Sequence, residues 1–463
     1  MRPRNIAARD RLTTALSRRA AVSAGELAAK VEVSVPTLHR LLAEIGSAVI
    51  ATGKARRTRY ALRKPVRGVA AELPLYEIDK EGRAHLASHV ALVQPQGSCM
   101  NLADSGWPVP EESRDGWWPG LPYPLYDMRP QGYLGRQLAR AEHRNLHVAA
   151  NPDEWNDEDV LHVLRSVGSD TSGNLVLGDA AIEQWQARKL APAEPLKPQG
   201  QARAYAQLAE QAVALGVTGS SAAGEFPKFP AQRQLAGSET PHVLVKFSGA
   251  DNSPAVRRWA DLLVCEHLAL ECAASLPGVA SARSRIVQAD AQGKGRTFLE
   301  VERFDRHGDF GRSRLASLST LDAALLGDGS TDWTRMAARF AASGLLSVED
   351  AQRVQHLWWF GRLIANSDMH AGNLSFRPLG TLVLAPAYDM LPMLYAPLPG
   401  GEVPVRTFEP PLPLPAQRAV WDAACAVAID FWNRAASDAR LSESFRAICA
   451  ANARRLQDVA ARL

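Results

Sequence analysis

Hydrophobic positions in the first sixty residues recur at helical spacing and then alternate as in strands. Residues 5–19 predict a first helix. Ser23-Ala-Gly-Glu26 has the S-x-x-E spacing of a capping box and opens a second, short helix that ends near Lys30. A turn at residues 31–34 leads to a third helix over 35–45, with Pro36 in its first turn, where no hydrogen bond is lost. In that helix Leu38, Leu41, Leu42 and Ile45 fall at i, i+3, i+4 and i+7 and form a buried stripe. Thr37, His39, Arg40 and Glu44 are left outside. Residues 48–52 and 57–62, on either side of Gly53-Lys54, predict a hairpin.

Alternation weakens but continues beyond this point. Short runs between residues 72 and 102 predict a small β-rich domain. Residues 95–135 are crowded with Pro, Gly and Trp and predict long loops packed onto a core. Residues 131–146 and 157–167 predict helices, and Pro192, Pro195 and Pro198 mark a connector. His242-Val-Leu-Val-Lys-Phe-Ser248 reads as an apolar strand, residues 257–274 as a helix, and residues 298–306 as a strand running into a charged turn. The last segment, 416–463, reads as terminal helices with Val420, Ala424, Val427 and Phe431 as the inward stripe.

The overall charge of +4 conceals an asymmetry: residues 1–64 hold 14 Lys/Arg against 4 Asp/Glu, a net of +10, and the rest carries −6. A basic front on an acidic body points to a nucleic-acid module fused to something else. Two short helices, a third helix and a basic hairpin make the winged helix-turn-helix pattern. Thr37, His39 and Arg40 are then the base-contacting candidates for duplex DNA, and Lys54, Arg56, Arg57 and Arg59 the phosphate-contacting ones. Five cysteines without a C-x-x-C pair predict reduced thiols, and no stretch approaches about 18 uninterrupted apolar residues. A cytoplasmic protein is expected.

The candidate chemistry lies late in the chain. Asp368-Met-His-Ala-Gly-Asn373 has an Asp and an Asn five apart, the spacing of a kinase catalytic loop, and Asp389 follows as a second acid. Upstream, a small-residue loop from Thr218 ends in Lys228, Lys246 sits near the end of a strand, and Glu266 lies on the next helix in position to pair with it. Phosphate loop, strand Lys, helix Glu, connecting strand, Asp-x-x-x-x-Asn and a final Asp is the order of parts in a two-lobed kinase.

At these residues the chain resembles the HipA-type Ser/Thr kinases of bacterial toxin–antitoxin systems. The motifs read Ser221-Ala-Ala-Gly224 with Lys228, His242 to Lys246, Val301-Glu-Arg-Phe-Asp-Arg306, Asp368 to Asn373, and Tyr388-Asp389. The fused basic module matches the YjjJ-type branch. The resemblance implies Asp368 as catalytic acid/base, and Asn373 and Asp389 as Mg2+ ligands; His370, in the same catalytic loop, reads from the residues as a scaffold for it rather than a metal ligand. It also implies Lys246 on an ATP phosphate, the backbone around Glu302 and Phe304 against adenine, and Ser221 as a self-phosphorylation site. One departure is the phosphate loop, where Gly224-Glu-Phe-Pro-Lys228 carries a proline that removes a backbone donor.

The expected architecture is α+β: a winged helix-turn-helix over 1–64, and a β-rich subdomain with linker over 65–205. A kinase core over 206–463 completes it, with an ATP-binding part to residue 310 and a mainly helical lobe after it. The expected function is a Mg/ATP-dependent Ser/Thr protein kinase toxin with an autoregulatory DNA-binding module. Its expected partners are a protein substrate such as an aminoacyl-tRNA synthetase, an antitoxin, and a second copy of itself on a palindromic operator. Two other readings are open: a DNA-binding regulator whose kinase-like body binds nucleotide without turnover, and a nuclease using Asp368, His370 and Asp389 as a metal cluster.

Overall fold

The computed structural model describes residues 6–69, 72–214, 226–288 and 295–463. The chain packs as two units: residues up to 79 with 84–129 and 154–191, and residues 80–83 with 130–153 and 192–463.

The first unit begins with helix α1 (Ile6–Arg18), strand β1 (Val22–Ser23), helices α2 (Ala24–Val31) and α3 (Val35–Ile45), and strands β2 (Val49–Thr52) and β3 (Arg59–Lys64). The Ser23 side chain accepts from the Glu26 N–H and the Glu26 carboxylate accepts from the Ser23 N–H, so the capping box is closed in both directions. Leu38, Leu41 and Leu42 of α3 are buried with Leu12, Leu16, Leu27, Val31 and Leu62, and Ile45 packs half-buried against them. A side chain at Gly53, φ +99°, would meet the Arg57 carbonyl at 2.6 Å, so the hairpin tip requires glycine there.

Packing does not break at residue 64. Strand β3 pairs with β1 and β2, and its last residues also pair with β5 (Ala84–Val93), Arg63 opposite Val93. From β5 the sheet runs through β4 (Leu73–Ile78) to β8 (Leu175–Leu177); β6 (Ser98–Cys99) pairs with β5, and β7 (Trp117–Trp118) pairs with β6. Alternation predicts β4 and β5 singly, but β7 lies in the stretch read as loops and β8 where no strand is predicted, and the shared ladder is a long-range pairing that no local pattern carries. Helices α5 (Asp157–Val167) and α6 (Asp179–Leu190) pack beside β8. Residues 130–153, with α4 (Gly132–Leu146), pack with the second unit instead.

In the second unit α7 (Gln201–Ala214) precedes β9 (Lys228–Gln232), β10 (His242–Phe247), α8 (Pro254–Ala273), β11 (Ser284–Gln288) and β12 (Thr297–Glu302). The four strands form an antiparallel sheet in the order β11-β12-β10-β9. Val243, Val245 and Phe247 of β10 are buried with Tyr205 of α7 and Phe298 of β12, which leaves Lys246 on the opposite face, toward α8. Short strands β13 (Arg306–His307) and β14 (Gly311–Arg312) form a hairpin, and β15 (Ala316–Ser317), β16 (Ser375–Leu379) and β17 (Thr381–Leu384) a three-stranded sheet. Helices α9 (Leu318–Leu325), α10 (Trp333–Ala342), α11 (Val348–Leu363), α12 (Arg418–Ser437) and α13 (Glu443–Arg462) complete the unit.

The inward stripe of α12 differs from the expected one. Trp421, Ala424, Cys425, Ala428, Phe431, Trp432 and Ala435 are buried, and Val420 and Val427 are only half-buried. Two tryptophans outweigh two valines in apolar area, and the Trp432 indole donates to the Leu363 carbonyl at 3.0 Å, which fixes the helix rotation. All five cysteines are free thiols. No helix of the described residues is long and apolar enough to cross a membrane.

Candidate active site

Lys246 leaves the central strand β10 and meets Glu266 of α8 in a bidentate contact at 2.7 and 2.9 Å, and it also contacts the Asp389 carboxylate. The Lys246 and Glu266 side chains are 7% and 1% exposed and that of Asp389 is 29% exposed, so the ammonium sits between a sealed acid and an open one. Asp389 adopts φ +53°, a left-handed conformation that Asp tolerates better than most residues and that marks functional turns. The Phe226 ring lies 5.9 Å from the Lys246 nitrogen.

Two acids sharing one cation in a poorly hydrated place cannot both be easily ionised. Burial pushes the Glu266 carboxyl up to about 7, against the pull of Lys246. Burial also opposes ionisation of Asp389, but the Lys246 and Lys228 cations win and lower it to about 2. Lys246 is raised because Asp389 and Glu266 together outweigh its burial. Between about pH 4.5 and 7 the folded chain therefore keeps a proton on Glu266 that the unfolded chain has released. Native stability is expected to fall as pH rises through that window, and Glu266→Gln to flatten the fall in pH-dependent urea titrations. An unchanged slope in the variant would remove Glu266 as its source.

The catalytic-loop segment follows α11. Asn366, buried, accepts from the Asp368 N–H at 3.0 Å and donates to the Asp389 carbonyl at 3.3 Å, so one side chain ties together the two segments that carry the acids. The Asn373 side chain donates to the Asp368 carbonyl at 2.9 Å, and its amide oxygen has no hydrogen-bond partner among the described residues. His370 Nδ1 accepts from the Gly372 N–H at 3.0 Å, and the His370 carbonyl accepts from the Trp333 indole at 3.2 Å. The side chains of Asp368 and His370 are 51% and 58% exposed, open to a large substrate. Tyr388 braces the loop by donating to the Gly372 carbonyl at 2.7 Å. Asn366 lies two residues before the Asp368–Asn373 motif, and nothing in spacing alone distinguishes it from a turn-former. Asn366→Ala is expected to cost about 1–3 kcal/mol in urea unfolding, since both bonds are lost in a buried place. An unchanged midpoint would contradict that bracing role.

The segment after β12 has an ordered backbone. The Glu302 N–H donates to Arg283 O at 2.8 Å, the Arg303 N–H to His242 O at 3.1 Å, and the Arg306 N–H to Arg303 O at 2.9 Å. The Phe304 carbonyl accepts from Arg377 at 2.9 Å, and the Phe304 ring lies 5.7 Å from that of Tyr388. The Glu302 carbonyl and the Phe304 N–H have no hydrogen-bond partner among the described residues. The Glu302 side chain points elsewhere, to Arg233 at 2.7 Å in a buried network with Glu300.

Of the other expected residues, Ser221 and Gly224 lie outside the described residues, and Lys228 opens β9. The donor set fits magnesium: it takes oxygen ligands and is held by one or two protein groups together with substrate phosphates, a role the Asp389 carboxylate and the Asn373 amide oxygen can fill. Asp368, His370 and Asp389 do not gather into a metal-holding group, and no such group of three or more His, Cys, Asp or Glu occurs among the described residues. In the first unit His39, Arg40, Lys54, Arg56 and Arg57 are exposed and Thr37 is half-buried beside Ser34. Arg59 differs from its neighbours: it pairs with Glu26 at 3.6 Å, so part of its charge is already answered.

A family model described as "HipA-like C-terminal domain" matches residues 220–459, and one described as "YjjJ-like toxin, middle domain" matches residues 69–186. "Toxin YjjJ" of Escherichia coli (strain K12) is 36% identical over 429 residues, covering 92% of this chain and 93% of its own. The chain belongs to the YjjJ-like toxins of the HipA-like family. A chain in the solved complex described as "Shewanella oneidensis MR-1 Toxin Antitoxin System HipA, HipB and its operator DNA complex" shares the fold of this YjjJ-like toxin. Its TM-score is 0.50 at 16% identity, covering 84% of this chain and 97% of that one.

Proposed function

We propose that this YjjJ-like toxin is a Mg/ATP-dependent Ser/Thr protein kinase. The observation that carries the reading is Lys246, held on a central strand between Glu266 and Asp389. In that place it is aligned for nucleotide phosphate, and Asn373 and Asp389 are the residues to hold magnesium. Magnesium when bound neutralises charge on the phosphates. Asp368, exposed beside the loop, takes the proton of the attacking hydroxyl, and Asn366 and Tyr388 keep its loop in place. Transfer of label from γ-labelled ATP into protein, lost in Asp368→Asn, is the expected result. Equal labelling by the variant would reject the assignment.

The same proposal gives residues 6–64 a role as a winged helix-turn-helix, with α3 in the major groove and the tip at Lys54, Arg56 and Arg57 on phosphates. Fluorescence anisotropy across a salt series is expected to show a steep loss of duplex affinity. The slope should fall by roughly 0.9 for each of those three residues replaced by alanine, and by less for Arg59, which Glu26 occupies. A slope indifferent to all four would contradict the module's role. An antitoxin partner is proposed by analogy with the HipB of the solved complex, a self-pairing on palindromic DNA by the symmetry of such operators, and a target in translation, such as an aminoacyl-tRNA synthetase, by family resemblance.

A second reading, a DNA-binding regulator with a nucleotide-binding but weakly catalytic body, is favoured by one observation. Lys246 engages the carboxylate that would have to hold the metal. Calorimetric ATP binding without label transfer would select it.

A further inference from the structure

We propose that Arg377 is the positioning residue that makes the segment after β12 select adenine over guanine. The inference rests on the kinase reading, and deepens it by naming what sets the base specificity of that site.

Three consecutive backbone features of the segment define its hydrogen-bonding face. The Glu302 carbonyl is an open acceptor and the Phe304 N–H an open donor. The Phe304 carbonyl would be a second acceptor, but the Arg377 guanidinium donates to it at 2.9 Å. The two peptide planes that flank Phe304 are therefore each held by a separate bond. The Arg306 N–H on the Arg303 carbonyl orients the plane carrying the Phe304 N–H, and Arg377 orients the plane carrying the Phe304 carbonyl. The Phe304 ring is held as well, against Tyr388.

Adenine presents a donor, its 6-amino group, beside an acceptor, N1. That order matches an acceptor at Glu302 followed by a donor at Phe304. Guanine presents the reverse, an acceptor at O6 beside a donor at N1–H. Placed in the adenine register it sets oxygen against the Glu302 oxygen and N–H against the Phe304 N–H. The register that would suit guanine shifts by one group and uses the N–H and carbonyl of Phe304 together. Arg377 opposes that register twice: it occupies one of the carbonyl's two lone pairs, and its fixed positive charge opposes an approaching N–H donor. A site whose polar groups are left unpaired by the wrong ligand rejects it strongly.

Arg377 is suited to this task by its surroundings. It leaves β16, the strand that follows the catalytic loop, and it is half-buried, with Nε lacking a hydrogen-bond partner among the described residues. Burial lowers its pKa, opposed by Asp305 and Glu239, yet a guanidinium stays charged at any working pH. The contact thus also fixes the segment after β12 to the strand that leaves Asn373.

The test is calorimetric titration of the full chain, in the presence of magnesium, with ATP and with GTP, for the wild type, Arg377→Lys and Arg377→Met. The wild type is expected to bind ATP with GTP at least roughly a hundredfold weaker. In Arg377→Met, ATP binding weakens about tenfold with loss of one charge-assisted bond's ordering effect, and GTP binding strengthens, so the ratio narrows. Arg377→Lys, which keeps the charge and one donor, stays near the wild type, and its melting temperature controls for folding. An Arg377→Met protein that melts normally and shows both nucleotides unchanged, or both weakened in parallel, overturns the inference while leaving the kinase reading standing. A wild type that binds neither nucleotide overturns both.

Discussion

Lys246→Met is expected to abolish phosphoryl transfer and to unsettle the fold together. The substitution leaves the Glu266 carboxyl sealed in the interior, facing Asp389 with no cation between them. Glu266, already held protonated to about pH 7, is left a buried carboxyl without its partner, which costs about 1–3 kcal/mol. Loss of a preorganised cation at the transferring phosphate is expected to lower the rate by at least roughly a hundredfold. The two effects separate in the double variant Lys246→Met, Glu266→Leu. An apolar pair fills the same space without a stranded polar group, so urea unfolding should recover much of the lost stability while label transfer stays absent. If the double variant recovers transfer as well, Lys246 is a structural residue and the site lies elsewhere.

Asp368→Asn has the second large effect, and it should be confined to chemistry. The Asp368 side chain is half exposed, and the bonds that hold its loop run through backbone groups and through Asn366 and Asn373. Amide for carboxylate at that point preserves the shape and removes the proton acceptor. Transfer should fall by roughly a hundredfold to ten-thousandfold, the range of a general base, with ATP affinity and melting temperature kept. Equal losses in binding and transfer would show that the carboxylate positions nucleotide instead.

The parts of this site were legible in the sequence to different degrees, for physical reasons. Lys246, Glu266, Asp368, Asn373 and Asp389 could be ordered along the chain because each sits in a short motif with chemistry attached to its spacing. The structure adds that Lys246 reaches both acids, a fact that depends on which face of β10 turns toward α8. Asn366, Tyr388 and Arg377 act through backbone groups 16 to 73 positions away, and Asn366 also through one two positions away, and such contacts leave no periodic signature. The capping box at Ser23 and the α3 stripe were readable because local bonding and period decide them. The pairing of β3 with β5, which joins the basic front to the sheet behind it, was not, because register is set between strands that share no local pattern. In α12 the period through Val420 and Val427 does not set the inward face, because Trp421 and Trp432 bury more area and carry a polar handle.

Intact mass of the full chain and of a target-rich protein mixture, before and after incubation with ATP and magnesium, tests the central claim most directly. The account predicts that phosphoryl groups appear on Ser or Thr of this chain or of a discrete partner protein. None are expected when magnesium is withheld, and with Asp368→Asn they should accumulate at least roughly a hundredfold more slowly. Transfer at the wild-type rate in Asp368→Asn, or a wild type that binds ATP and modifies nothing, would contradict the kinase reading.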